Sequence, residues 1–478
     1  MTQPYVPPCQ DSRILAEPCP REAGRLPTPS AQMRVLAACV LASSMAFIDG
    51  SALTVALPAL KQEFGGSVAV VQWVLNGYVL ALAALTMSGG AMADAFGRAR
   101  ILMWGTAAFA LASAACALAP SPLVLIGARV AQGIAAALVT PASLALIGEL
   151  FAKDDRGRAI GIWSGASSLA EAGGPLLGGW LVVALSWRAL FWINLPMAAR
   201  ALLLLAGLPK RSGDAEGRFD ILGSVLLALA LCAVAFALSA IAPTDSASGH
   251  GAGDANWMLF GAMFVAAIAL LSAFWIWQGR ATHPLLPRYI FSSRTFAGLN
   301  VATMGLYTGL SIVFFLLPFE LIERRGMSAV EAGLVFLPFT LCVAFLSKWF
   351  GQLADRLGLR RMLLAGSLLA AIGFAAFATD PSNLAWRSLY LPMAISGLGF
   401  AVLVAPLTAG VMASVDDADE GLASGINNTA SRVAQMIGGA VAALFAATSA
   451  GHVAGLWVAV VASVLGAAAI AFMVARNP

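Results

Sequence analysis

Charge is scarce in this chain. Only 11% of its 478 residues are Asp, Glu, Lys or Arg, against about 25% in soluble domains, and 60% are hydrophobic. A single large soluble core is excluded, and lipid has to be the solvent. Lysine is rarest among the charges, with Lys61, Lys153, Lys210 and Lys348 against many arginines. The three histidines, His250, His283 and His452, read as isolated loop residues. The six cysteines, two in the N-terminal stretch and four inside apolar runs, share no ligand spacing. A metal site and a disulfide framework are both excluded on that pattern. There is no Gly-x-x-x-x-Gly-Lys-[Ser/Thr] loop to hold ATP phosphates and no Gly-x-Ser-x-Gly elbow. Energy should then come from an ion gradient, with no cofactor, and an enzyme is not expected. The net charge of +4 marks no nucleic-acid partner.

What is present is a succession of long apolar runs. A bilayer-spanning helix needs about 20 mostly apolar residues. Fourteen runs qualify, near 35–58, 69–91, 101–119, 123–148, 158–184, 188–208, 220–242, 256–278, 297–318, 331–352, 361–379, 388–413, 424–448 and 453–475. Residues 1–34 are polar and Pro-rich, and read as a disordered cytosolic tail. The first run is too long and starts too late for a cleaved signal peptide. Pro243 to Asn256, rich in Ser, Gly and Asp, reads as an external loop.

Two interhelical segments repeat each other. Gly90-Ala-Met-Ala-Asp94-Ala-Phe-Gly97-Arg98-Ala-Arg100 and Gly351-Gln-Leu-Ala-Asp355-Arg-Leu-Gly358-Leu-Arg360-Arg361 share a Gly-x-x-Ala-Asp-x-x-Gly core. Eight runs separate them, so both fall on one face and the repeat is parallel. Arginines concentrate in alternate loops, which places that face in the cytosol. Lys61, Arg188, Arg324, Arg325 and Arg387 are left outside, and both termini lie inside. The expected domains are the tail 1–34, a six-helix bundle 35–208, linkers with inserted spans 7 and 8 in 209–296, and a second bundle 297–475. Internal repeats of this kind build secondary transporters. In the repeated loops Gly90 and Gly97 permit a tight turn and close approach, Asp94 can accept at a helix N-terminus, and the arginines can pair with carboxylates or phosphates. That chemistry suits a cytoplasmic gate as well as a topogenic loop.

Ionisable residues inside spans cost at least about 2.5–3.5 kcal/mol on insertion scales, which makes them functional candidates. Asp49 lies about 13 Å below the outer end of span 1, and Arg129 about 9 Å into span 4 from the same face. The two share a depth. Asp49 is then either a proton-coupling carboxylate tuned by Arg129 or half of a structural ion pair. Glu171, mid-span 5, shares a helical face with Ser164, Ser168, Pro175 and Gly178; it either packs against a neighbour or binds a cationic substrate or proton in a cavity. Arg432 either faces the cavity or snorkels to the cytosolic interface, and snorkelling is the favoured expectation. Trp73, Trp187, Trp257 and Trp386 lie near run ends and read as interfacial anchors. Gly161, Gly165, Gly173, Gly174, Gly178 and Gly179 would let span 5 approach its neighbours closely, with Pro175 loosening the helix.

Taken together, these motifs resemble the major facilitator superfamily, and within it the fourteen-span drug:proton antiporter branch of EmrB/QacA type. The two repeated loops are similar to its cytoplasmic loop motif. Arg129-Val-Ala-Gln132-Gly133 resembles its span 4 motif, and Gly161 with Gly174-Pro175-x-x-Gly178-Gly179 its antiporter motif. Asp49 before Ala56-Leu57-Pro58, Trp187-Arg188 with Phe191 and Asn194-Leu-Pro196, and Phe219-Asp220 with Gly223 also fit. The chain departs from the pattern at Ser51, Thr54, Ala95 and Ala170. The resemblance implies an all-α integral membrane protein of major-facilitator fold, with two parallel six-helix bundles plus two inserted helices. It implies a bacterial inner-membrane antiporter exporting lipophilic, often cationic compounds against protons. A monomer is expected, with a periplasmic adaptor as a candidate partner. Export of a single metabolite, or a non-transporting sensor, is the alternative.

Overall fold

A computed structural model describes residues 29–65, 68–151, 153–206, 220–240, 257–282, 284–379, 386–416, 420–446 and 449–475. The segment expected to form the external loop, and most of the N-terminal tail, lie outside these. Among the described residues the chain is helical, with no strand. In order the helices are α1 (Pro29–Phe64), α2 (Val68–Phe96), α3 (Arg98–Ala117), α4 (Pro122–Leu150), α5 (Lys153–Ala184), α6 (Ala189–Trp192), α7 (Asn194–Leu205), α8 (Ile221–Ala240), α9 (Trp257–Gln278), α10 (Arg294–Pro318), α11 (Ala329–Val335), α12 (Leu337–Leu357), α13 (Leu359–Thr379), α14 (Trp386–Ala413), α15 (Glu420–Phe445) and α16 (Ser449–Met473). Because α1 starts at Pro29, residues 29–34 are helical rather than part of a disordered tail.

Eleven described helical segments are long and apolar enough to cross a membrane. The other three expected runs fall on α5, on the short α6–α7 pair and on α15. Helix starts follow local chemistry. Ser121 accepts from the Val124 amide, with Pro122 opening α4. Ser293 accepts from the Phe296 amide at the start of α10. Ser328 and Glu331 form a reciprocal capping box on α11, which satisfies amides that have no partner inside the helix. After Pro318, α10 continues into a π-helical turn, Phe319–Arg324.

Helix packing repeats between the two ends of the chain. α1 lies on α5 and α7 as α10 lies on α15 and α16; α2 lies on α4 as α12 lies on α14. α3 contacts α4 and α7 as α13 contacts α14 and α16. Across the two sets, α2 meets α15, and α5 meets α11 and α12. α8 and α9 pair with each other, and α8 rests on α2 and α15. α9 buries little beyond Ala267, Phe274 and Gln278 and exposes Trp257, Met258, Val265 and Ile268. So continuous an apolar face is stable in lipid and a liability in water. One large buried cluster reaches from Leu53 and Leu57 on α1 to Phe374 on α13 and Phe400 on α14.

Small residues set how closely α5 is held. A methyl group at Gly178 would collide with the Ala52 carbonyl of α1, and one at Gly179 with the Ala329 carbonyl of α11. From α11, Gly333 in turn abuts the Pro175 backbone. α5 is thus wedged between α1 and the second helix set.

Candidate functional site

The deepest polar feature is a sealed cluster joining α1, α3, α4 and α7. Asp49 is 3% exposed, and Arg129, Gln132 and Asn194 are fully buried. Arg129 Nη1 pairs with Asp49 Oδ2 and donates to Gln132 Oε1 at 2.7 Å, while its Nε donates to the Val74 carbonyl at 3.2 Å. The other carboxylate oxygen, Oδ1, accepts from Gln132 Nε2 at 2.8 Å and from Asn194 Nδ2 at 3.0 Å. Ser113 accepts from Asn194 Nδ2 at 2.9 Å and donates to the Phe191 carbonyl. The guanidinium lies 4.3 Å from the Tyr78 ring centroid, a cation–π contact, and its Nη2 has no hydrogen-bond acceptor. A buried charge is tolerated when paired and hydrogen-bonded on every side, and this one nearly is.

Beside that cluster, on the other side of Tyr78, lies a cavity of about 240 Å³ between the two helix sets. Phe47, Gly50 and Ser51 of α1, Asn76 of α2 and Glu171 of α5 face Tyr307 and Phe314 of α10, Phe339 of α12, Phe400 of α14 and Arg432 of α15. The aromatic wall is continuous: Phe314 to Phe339 is 5.2 Å between centroids, Phe339 to Phe400 5.4 Å, and Tyr307 to Phe400 6.1 Å. Arg432 approaches Glu171 to 3.8 Å across the two sets. It also donates to Gln435 Oε1 at 3.1 Å and lies over Phe47. This corrects the snorkelling expectation. Arg432 is twelve residues past Glu420, about 18 Å along the helix, with a carboxylate nearer than any interface. Asp49 and Arg129 stand behind this cavity, not in it, whereas Glu171 faces it.

Whole-chain comparison fits these findings. The family model described as Major Facilitator Superfamily matches residues 39–299 and again 299–478.

The chain belongs to the Major Facilitator Superfamily. It is a multi-pass membrane transporter. It is 33% identical over 417 residues to the "Multidrug resistance protein B homolog" of Mycobacterium tuberculosis, covering 86% of this chain and 74% of that protein. The "Tetracenomycin C resistance and export protein" of Streptomyces glaucescens is 32% identical over 436 residues, covering 89% and 79%. Among solved structures, a D-xylose–proton symporter superposes with a TM-score of 0.66 at 16% identity, covering 93% of this chain and 98% of that one; that likeness concerns the fold.

The two repeated superfamily loops adopt one conformation. Gly97 (φ 95°) and Gly358 (φ 88°) are each the single residue between two helices, in a region that L side chains rarely occupy. The Gly97 amide bonds the Ala93 carbonyl at 3.0 Å, and the Gly358 amide bonds the Ala354 carbonyl at 2.9 Å. Gly90 and Gly351 sit inside helices instead, and close approach on α2 belongs to Gly89, whose missing side chain admits the Ala137 backbone of α4. The side chains of Asp94 and Asp355 lie outside the described residues. Arg98 donates to the Ala145 carbonyl at 3.1 Å and stands 3.7 Å from Glu149; Arg360 donates to the Ala471 carbonyl. Within the antiporter motif, Gly161 has open space where a Cβ would project, while Gly174 and Gly178 abut α1 and Gly179 abuts α11.

Among the cations expected outside, the four with described side chains are paired with glutamates, and the Arg387 side chain lies outside the described residues. Lys61 meets Glu323 at 3.1 Å, Arg188 meets Glu63 at 2.6 Å, and Glu320 takes both Arg324 and Arg325. Trp187, expected as an anchor, is buried and donates to Glu63 at 2.9 Å. His452 is on α16 rather than in a loop, 3.1 Å from the Leu316 carbonyl. Sequence reasoning missed Ser113, Tyr78 and Tyr307. The tyrosines carried a usable signal: the chain has five, and two line the cavity. Ser113 carried none.

Proposed function

We propose that this protein is a proton-coupled efflux antiporter of the bacterial cytoplasmic membrane, exporting lipophilic aromatic drugs or toxic compounds by alternating access. The observation that carries the reading is the cavity between the helix sets, aromatic-walled and holding the Glu171–Arg432 pair, one Tyr78 ring away from the sealed Asp49–Arg129 pair. An aromatic-walled pocket with a few convergent polar groups suits ligand binding. The relatives named for multidrug resistance and antibiotic export support the same substrate class.

In this reading the proton is carried by Asp49. Protonation neutralises the carboxylate and removes its attraction for Arg129, freeing α1 to shift against α4; deprotonation restores the pair. All fourteen runs span the bilayer, both termini face the cytosol, and the bundles 35–208 and 297–475 rock about the α5–α11 and α2–α15 contacts. The repeated loops act as the cytosolic gate. The carrier works as a monomer without cofactor, and a periplasmic adaptor, where present, extends the export route. A narrower reading, export of one metabolite or antibiotic, is favoured by the relative named for tetracenomycin C resistance and export.

The test is efflux from proteoliposomes under an imposed proton gradient, with a panel of lipophilic dyes and antibiotics. Wild type should extrude several compounds in a gradient-dependent way, and Asp49→Asn should lose gradient-driven transport. Full proton-driven efflux by Asp49→Asn defeats the coupling assignment. Extrusion of one compound alone selects the narrower reading.

A further inference from the structure

We propose that the cavity selects amphoteric aromatic compounds, Arg432 receiving the anionic group of the substrate and Glu171 its cationic group. This rests on the efflux reading of the same cavity and names its substrate class.

Among the described residues lining the cavity, Glu171 and Arg432 are the only charged ones. Their side chains are 45% and 14% exposed and 3.8 Å apart, longer than the 2.7–2.9 Å or so of a tight charge-assisted bond. The pair is therefore accessible and incompletely closed. Arg432 is oriented independently, by Gln435 and the Phe47 ring. The neighbouring Asp49–Arg129 pair is sealed away from the cavity. A monocation at Glu171 competes with Arg432 for the carboxylate and leaves the guanidinium less well met; a monoanion at Arg432 does the same to Glu171. Each mismatch acts as selection against the wrong ligand. A compound bearing both charges inserts between the two groups and satisfies each. Its ring body meets Phe314, Phe339, Phe400 and Tyr307, where offset and edge-on packing is available. Such a ligand also bridges the two helix sets, because Glu171 and Arg432 come from opposite ones.

The experiment measures fluorescence polarisation with the full-length protein in lipid nanodiscs. The probes are a rhodamine with a free carboxylate, a zwitterion, and its methyl ester, a monocation with the same ring system. Wild type should bind the zwitterion about tenfold more tightly or better, a gap of ~1.4 kcal/mol. Arg432→Gln should reverse the order, and Glu171→Gln should weaken the ester, which then faces an unpaired guanidinium, more than the zwitterion, whose carboxylate still meets Arg432. The exchange variant Glu171→Arg with Arg432→Glu should recover the zwitterion preference, which misfolding could not imitate. Preference for the ester in wild type, binding of neither dye, or a ratio that the single variants do not move overturns the proposal. The efflux reading fails separately, if proteoliposomes extrude no compound of the wider panel whatever the binding ratio.

Discussion

One methyl group added to two glycines of the same motif should have unlike consequences. At Gly179, on the last turns of α5, an added Cβ collides with the Ala329 carbonyl of α11 and crowds Val330 Cα at 3.2 Å. At Gly161 it meets nothing within 4 Å. Both substitutions raise helix propensity by about 1 kcal/mol, so local helix formation does not separate them. Overpacking at a tight contact costs about 1–3 kcal/mol. The Gly179 contact joins the two helix sets, so the cost falls on the arrangement in which they touch there. A conformation with α5 and α11 apart escapes it. Gly179→Ala should therefore shift the equilibrium away from the structure described by about 5- to 150-fold. Spin labels at the exposed Gln62 and Ala450, one on each helix set, report the separation by pulsed EPR. A population at longer distance should grow in Gly179→Ala, and Gly161→Ala should match wild type. Identical distance distributions in all three proteins would show that the contact does not govern the opening.

Two further outcomes follow from buried polar networks. Removing one partner of a buried ion pair costs about 3–5 kcal/mol because the other charge is stranded. Asp49→Ala and Arg129→Ala should each lower thermal stability in detergent sharply, and the double variant should lose less than the sum by about 2 kcal/mol; additive losses would mean that the pair does not act as a unit. Asp220 accepts from the Gly223 amide at 2.7 Å and from Trp277 and Gln278 at 2.8 Å each, tying α8 to the end of α9. Asp220→Ala strands three donors and should cost about 3 kcal/mol or more, read as a lower thermal unfolding midpoint in detergent; an unchanged midpoint would rule out the clamp.

Repetition and depth were readable from sequence, and orientation about a helix axis was not. The two Gly-x-x-Ala-Asp-x-x-Gly segments carry their conformation in the last glycine, since a single-residue turn at φ near 90° admits little else. Depth arithmetic placed Asp49 level with Arg129 because rise per residue is fixed, and they do pair. The same arithmetic could not reach Arg432. Its partner Glu171 stands 261 positions away on the other helix set, and α15 is polar at Asn427, Asn428, Ser431 and Gln435 as well. Gly161 and Gly179 look alike in a motif, yet only the neighbouring helix decides that one is open and the other essential for contact.

On the proposed efflux reading, the contrast between the two ion pairs separates binding from coupling. Asp49 and Arg129 are satisfied by Gln132, Asn194, Val74 and the Tyr78 ring. A ligand arriving there would have to replace several good hydrogen bonds at once, so the cluster is a poor binding site and a good two-state element. Glu171 and Arg432 are loosely met and open to the cavity, so a ligand gains contacts without breaking a completed network. Tyr78 touches both: its ring stacks on Arg129 and lines the cavity, and its hydroxyl is fixed by the Ala46 carbonyl at 3.0 Å. Any ligand that presses on this ring also presses toward the Arg129 guanidinium, 4.3 Å from the ring centroid. On that reading, the physical link between cargo and the buried carboxylate is one aromatic ring thick.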